Sequence, residues 1–253
     1  MIDSPSAPLA AAPPETIPVF SGWLGSWQVS VERRPLGVGE LSRRYDRLAA
    51  RWDRVLQRLG LPRAYEAATA LADGGRALDC GTGTGAMSRA LARVCPTPFE
   101  LDAIDASPRM LQHARLRFDE AGIAATLRKG DVCTLPYPDD TFDLVMTAHV
   151  LEHLAEPAGA LAEMVRVLKP GGWLVASVTR RSIPGMWIHL KWRTHRLTEV
   201  ELERWLRDAD LHRVRCLSLR DDPIYRRLSL ACTGRKPRSG WNRTEHSTKR
   251  RNP

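Results

Sequence analysis

The run Leu78-Asp79-Cys80-Gly81-Thr82-Gly83-Thr84-Gly85 is the part of this 253-residue chain best suited to chemistry. It follows a short apolar segment and opens a helical one, so three glycines fall in a strand-to-helix turn. Glycines there let the backbone turn sharply and let a ligand lie against the main chain, where a Cβ would collide. A lone GxGxG is weak evidence, because many tight turns share it. Two acids strengthen it. Asp105 ends the next strand-like segment, where a carboxylate accepts hydrogen bonds from both hydroxyls of a ribose. Asp131 follows Gly130 at the end of the third such segment, on the same carboxyl edge, where open α/β sheets bind ligands. The competing structural roles are an Asx turn for Asp105 and a plain loop acid for Asp131.

The same loop argues against a dinucleotide. A dinucleotide loop reads GxGxxG and sets a pyrophosphate on the helix N-terminus. Here the spacing is tighter, and Asp79 stands directly before it. A carboxylate at that place repels a pyrophosphate but orients water or a cationic ammonium group. The methionine end of S-adenosylmethionine suits it better than NAD does.

Further along, His149-Val150-Leu151-Glu152-His153 spells HxxEH, the pattern of an inverted zinc-peptidase helix. The segment directly follows a strand, however, and no metal is expected. The favoured reading turns His149 toward a bound acceptor and gives His153 an anchoring hydrogen bond; a purely structural role for both competes with it. His149 is the candidate general base, with His189 and His195 as further options. The stretch 179–196 mixes Met186, Trp187, Ile188, Leu190 and Trp192 with Arg180, Arg181, Lys191, Arg193 and Arg196. Such a mixture would suit an apolar acceptor carrying an anionic group, or else an amphipathic helix packed on the core.

These residues need a frame. Strand-like segments fall at Arg76–Asp79, Phe99–Ile104, Thr126–Lys129, Phe142–Thr147 and Trp173–Val178, with helices near 85–95, 107–121 and 157–168 between them. Ser107 caps the second of those helices and Pro108 begins it. Strands alternating with helices of this length imply a parallel sheet with right-handed crossovers. Before it, Leu41, Tyr45, Leu48, Trp52 and Leu56 recur at helical spacing, and Pro62 opens a second helix running to about Leu71. After it come a helix over 199–208 capped by Thr198 and two strand-like pieces near 213–219 and 227–233.

Composition sets the outer bounds. Hydrophobic residues make up 43% of the chain and the formal net charge is +9. From Gly234 onward seven cations face one acid, so the basicity is mostly a tail rather than a folded face. Nucleic acid is therefore not the expected partner. Five scattered cysteines without a CxxC pair predict neither a disulfide framework nor a zinc cluster, and a reducing cytoplasm is the expected location. No apolar run is long enough to span a bilayer.

The segments LDCGTGTG, AIDASPRML, GDVCTLPYPDDTFDLVMTAHVLEHL and RVLKPGGWLV resemble the successive motifs of class I methyltransferases, closest to the group holding the quinone-biosynthesis C-methyltransferases. The resemblance implies an α/β, Rossmann-like fold: a seven-stranded, mostly parallel sheet, helices on both faces and an antiparallel last strand. It implies S-adenosylmethionine as cofactor. Asp79, Gly81, Thr82, Gly83 and Gly85 would surround its methionine moiety. Asp105 would hold the ribose, with Ala106 and Met110 near the adenine. Asp131 and the Val132 backbone would meet the adenine ring, and Ala148 and His149 would border cofactor and acceptor. Tyr45 lies on a helix resembling the family's N-terminal lid, where an aromatic closes over the cofactor. Asp208-Ala209-Asp210-Leu211 departs from the family's acidic-Ala-Gly-Phe turn.

The expected organisation is a Pro/Ala-rich disordered N-terminus with a lid segment over 1–40, a methyltransferase domain over 41–233 and a basic tail over 234–253. The expected activity is methyl transfer to a small molecule. The alternatives are an RNA or protein methyltransferase gathering its substrate through the tail, and a catalytically silent cofactor-binding partner protein.

Overall fold

The alternating apolar segments become the strands of one sheet. In a computed structural model, described over residues 16–24, 26–34, 36–182, 189–195, 197–217 and 229–238, the elements run in this order. An antiparallel hairpin, β1 (Ile17–Leu24) and β2 (Trp27–Arg33), is followed by helices α1 (Val38–Arg58) and α2 (Leu61–Thr69). Then come β3 (Gly75–Cys80), α3 (Ala86–Val94), β4 (Phe99–Asp105), α4 (Pro108–Ala121) and β5 (Ala125–Lys129). The chain continues through β6 (Phe142–Ala148), a 3-10 turn (Leu151–His153), α5 (Pro157–Val167) and β7 (Leu168–Thr179). It closes with α6 (Glu199–Asp208), β8 (His212–Leu217) and β9 (Ser229–Arg235).

Seven strands form the large sheet in the order β5-β4-β3-β6-β7-β9-β8. Pairing is parallel from β5 to β7, and β9 runs antiparallel to both β7 and β8. The expected Rossmann-like sheet with an antiparallel last strand is what the chain forms. The alternation of side chains along its strands divides the core. Leu78, Ile104 and Val145 face Leu161, Met164, Leu202 and Leu206 of α5 and α6. Ala77, Ala103 and Leu144 face Tyr65, Leu91 and Phe118 of α2, α3 and α4. Strands buried on both faces need continuous apolar runs rather than strict alternation, as β3 and β6 show.

Local signals set most helix ends. The Ser107 hydroxyl accepts from the Met110 amide, Pro108 opens α4, and Gly122 closes it in the left-handed region. Thr198 and Glu201 form a reciprocal capping box on α6. At the turn after α6, Asp210 itself takes the left-handed conformation, φ 61°, that a glycine would otherwise supply. Aspartate tolerates that region better than most residues, which is how the turn survives the departure from the family pattern.

Several expectations are corrected. Part of the segment before residue 40 is an ordered hairpin, and α1 starts at Val38 rather than Leu41. The last strand runs to Arg235, and Lys236 Nζ donates to the Leu168 carbonyl at 2.6 Å and to Asp140 at 2.7 Å. The sheet thus claims Gly234–Lys236, residues first placed in the basic tail, because the antiparallel register carries Arg235 opposite Trp173. On its other edge β9 pairs with β8, which brings Cys232 opposite Cys216, and a disulfide joins them, against the expectation drawn from scattered spacing. No helix among the described residues is long and apolar enough to cross a membrane. Residues 1–15, Met186, Trp187, Ile188, Arg196 and the tail from Ser239 lie outside the described residues.

Candidate active site

The carboxyl ends of β3, β4, β5 and β6 open into one cleft roofed by α1, about 700 Å³ of space that includes its opening to solvent. Clefts at this edge of a doubly wound sheet are where such folds hold small ligands. The glycine loop lies along one wall. Its backbone is pinned at both ends: the Gly81 and Thr82 amides donate to the Ile104 carbonyl at 2.8 and 3.0 Å, and the Gly85 amide donates to Thr82. Gly83, at φ 56°, has nothing within 4 Å of where a Cβ would stand, so its open side faces the cavity. Gly85 has another purpose. A Cβ there would stand 2.3 Å from the Phe118 ring, so this glycine lets α3 and α4 approach behind the loop.

Asp105 joins loop and cavity. One carboxylate oxygen accepts from the Gly83 amide and the other from the Ser107 amide, both at 2.8 Å. Burial raises its pKa above the ordinary carboxylate range, and the two amide donors oppose that rise. Each oxygen has acceptor capacity beyond its one amide bond, and Asp105 lines the cavity, a combination that fits a ribose diol. Asp131 lines the neighbouring wall and accepts from the Cys133 amide at 2.9 Å, so its side chain is held in an Asx turn while edging the cavity. Met110, Val132 and Ala106 supply apolar surface between these acids.

Asp79 and Thr82 do not line the cavity. The Asp79 carboxylate is 1% exposed and accepts from the Thr82 and Ser88 hydroxyls behind the loop. Burial pushes its pKa up to about 6 and Asp105 adds to the rise, against the two hydroxyl donors. Asp79 therefore braces the turn from within. Its carboxylate faces the first turn of α3, and Asp79, Thr82 and Gly85, expected around the methionine moiety, are not among the described lining residues of the cavity.

The opposite wall is built from β6, the 3-10 turn and α1. His149 takes a left-handed backbone, φ 56°, rare for a residue with a Cβ. Its amide donates to Ser177 O at 2.7 Å, and its Nδ1 lies 3.1 Å from both Glu152 Oε1 and Thr179 Oγ1. Nε2 lies 3.4 Å from Ser229 Oγ. Glu152 is wholly buried, and its Oε1 also accepts from the Thr179 amide at 2.8 Å. Burial alone would raise its pKa, but the hydrogen bond and charge of His149 carry it down to about 2. The result is a buried carboxylate turned on one imidazole nitrogen.

His153 faces the cavity from the 3-10 turn, and its Nε2 lies 3.0 Å from the Tyr45 hydroxyl. Burial lowers the His153 pKa to about 4 although Glu152 opposes the change. Tyr45 stacks on Trp192 at 4.8 Å and meets Trp52 edge-on at 5.4 Å. Together with Arg44 donating to the Lys191 carbonyl at 3.1 Å, these contacts tie α1 to the connection after β7. The HxxEH run is thus not an α-helix with both histidines on one face: its rings turn to Glu152 and Tyr45 respectively. His189 and His195, the other candidate bases, bond Thr194 and the Leu154 carbonyl and do not line the cavity.

Of the residues expected at the site, Tyr45, Gly81, Gly83, Asp105, Ala106, Met110, Asp131, Val132, Ala148 and His149 line one cavity. Missed were Leu41, Ser42, Val150 and Leu154, apolar or small residues with no chemical signature, and Glu152 as the partner of His149. The i,i+3 spacing of His149 and Glu152 was the available signal. No lysine or arginine is among the described lining residues.

An acid pair beside a strand–glycine loop–helix turn, on this sheet order, defines an adenosyl-cofactor fold of the methyltransferase type. A family model for a methyltransferase domain matches residues 78–176. Over 177 residues the chain is 32% identical to the ubiquinone/menaquinone biosynthesis C-methyltransferase of Burkholderia mallei, covering 66% of this chain and 71% of that protein. It is 37% identical over 145 residues to the demethylmenaquinone methyltransferase of Tropheryma whipplei, covering 54% of this chain and only 58% of that protein's length. A chain from the solved complex between the Haloferax volcanii Trm112 methyltransferase activator and a methyltransferase superposes with TM-score 0.64 at 26% identity, covering 76% of this chain and 97% of that one. The chain belongs to the class I S-adenosylmethionine-dependent methyltransferases.

Proposed function

We propose that the chain methylates a small, apolar, quinone-like acceptor, with His149 as the general base. S-adenosylmethionine, when bound, supplies an electrophilic methyl group on a sulfonium. The chain's own residues supply position. Asp105 and the open backbone at Gly83 hold the ribose side, Asp131 and Val132 border the adenine, and Met110 and Ala106 fill the apolar gap. Aligning an acceptor in line with the methyl carbon accounts for much of the rate in such a displacement.

The observation that carries the acceptor side is the His149–Glu152 pair at the cavity wall. With Nδ1–H donated to Glu152 and the Ser229 hydroxyl donating to the Val178 carbonyl, the Nε2 lone pair is left to take a proton from an acceptor hydroxyl or ring carbon, and Glu152 stabilises the imidazolium formed. Leu41, Met110, Val150 and Leu154 give the cavity an apolar lining, with no lysine or arginine among the described lining residues. That favours an uncharged ring over the anionic acceptor suggested by the basic stretch 179–196. The names of the quinone-methylating relatives point to the same class of acceptor.

The test is transfer of a labelled methyl group to a short-chain demethylmenaquinol, against total RNA and bulk protein as competing acceptors. Incorporation into the quinol alone is expected. Incorporation into RNA or protein alone would overturn the reading. Binding of S-adenosylmethionine with no transfer to any of them would favour a silent partner protein.

A further inference from the structure

Helix α1 roofs the cavity, yet its outer face has a chemistry the cavity does not use. At 100° per residue, Arg47, Arg51, Arg54 and Arg58 fall within an arc of about 60°, a stripe roughly 16 Å long. The buried and half-buried Tyr45, Trp52 and Leu56 lie on the opposite side of the helix. The acids of α1 are already engaged: Glu40 pairs with Arg44, Asp46 accepts from Ser107, and Asp53 takes Thr84, Arg89 and Arg117. Among the described residues, none of the four arginines has an acidic partner. Arg47 donates only to the Arg43 carbonyl, while Arg51, Arg54 and Arg58 flank Val55 along a shallow groove. Asp46 and Asp53 thus serve the fold, Glu40 is taken by Arg44 at the start of the helix, and the stripe from Arg47 to Arg58 itself carries no acid.

An apolar surface precedes it along the chain. The hairpin strand β2 exposes Trp27 at 76%, Val29 at 41% and Val31 at 37%, alternate residues on one face. An isolated two-stranded hairpin with an exposed apolar face is marginal in water. Five steps separate Arg33 from Val38, so β2 ends within about 18 Å of the start of α1.

We propose that the outer face of α1, with the apolar face of β2, docks the protein on an anionic lipid bilayer. Phosphate headgroups meet the arginine stripe, and Trp27, Val29 and Val31 enter the headgroup–acyl boundary. The valines decide between lipid and nucleic acid: an aliphatic side chain gains from an acyl boundary but offers no ring face for a base. A basic face beside exposed aromatic and aliphatic residues is the pattern of surface-lying membrane elements. The inference concerns location and does not depend on which acceptor is methylated.

The test is co-sedimentation of the full chain with phosphatidylcholine vesicles, with and without phosphatidylglycerol, alongside calorimetry with S-adenosylmethionine. Each basic residue near an anionic surface contributes about fivefold, so R51Q/R54Q/R58Q is expected to lower partition about a hundredfold while cofactor affinity holds. R51K/R54K/R58K keeps the charge and is expected to retain vesicle binding even if the glutamine variant folds poorly. Trp27→Ser is expected to lower partition severalfold without removing the charge preference. The proposal is overturned by equal binding to neutral vesicles or none to anionic ones. It is equally overturned by unchanged partition of the glutamine variant, loss in the lysine variant, or tighter binding of duplex RNA than of anionic vesicles.

Discussion

The two walls of the cavity are built on opposite principles. On the glycine-loop wall the functional groups come from the ends of three neighbouring parallel strands and stay close to the backbone. Asp105 meets Gly83 and Ser107 through main-chain amides, and the loop hangs from the Ile104 carbonyl. On the histidine wall the groups are side chains held by other side chains: His149 by Glu152 and Thr179, His153 by Tyr45, and Tyr45 by Trp192. Backbone-held recognition is insensitive to the rest of the sequence, whereas a side-chain network can be rebuilt around a new acceptor without moving the sheet. That is why the first wall identifies a family and the second has to identify a substrate.

Substitutions on the two walls should therefore separate turnover from cofactor affinity. The largest effect is expected from His149→Ala, a drop of about a thousandfold in kcat if the imidazole takes the proton, with S-adenosylmethionine affinity within a factor of two by calorimetry. A parallel loss of affinity would mean that the walls are not independent. Asp105→Ala should do the reverse. Losing two charge-assisted hydrogen bonds of roughly 1.5 kcal/mol each weakens cofactor binding about a hundredfold, read in the same titration.

A third comparison uses acid. The folded-state pKa of His153 is lowered from 6.5 to about 4, principally by burial, so below pH 6.5 the unfolded chain binds this proton more readily than the folded one. Stability present above pH 6.5 is lost as the pH falls toward 4, by about 2 kcal/mol at pH 5. Urea unfolding of His153→Gln over this range should show that component removed; an unchanged slope would place the acid sensitivity elsewhere. The smallest effect is expected from deleting residues 240–253, beyond the Lys236 anchor. Quinol methylation should stay within twofold, and a collapse would favour a macromolecular acceptor gathered by the tail.

What could be read in advance follows the same division. The carboxyl ends of β3 to β7, the Ser107 and Thr198 caps, the glycine loop and the acids at the ends of β4 and β5 depend on short-range spacing and lie within a residue of where expected. The start of β7 does not: it begins at Leu168, five residues before the expected Trp173. The reach of β9 to Arg235 and the Cys216–Cys232 bridge depend on antiparallel register, which no local pattern carries. Asp79 shows the limit most directly. Its place before the loop was legible, but the Ser88 and Thr82 hydroxyls that turn its carboxylate away from the cavity are settled only when α3 packs.

By itself the sequence determined the sheet, the cofactor wall and the family, because glycine φ values, helix caps and strand-end acids are properties of neighbouring residues. Only the tertiary structure decided the long-range partners on the histidine wall. Tyr45 reaches His153 across 108 positions and His149 approaches Ser229 across 80, and pairings so distant in sequence exist only once the core has closed around them.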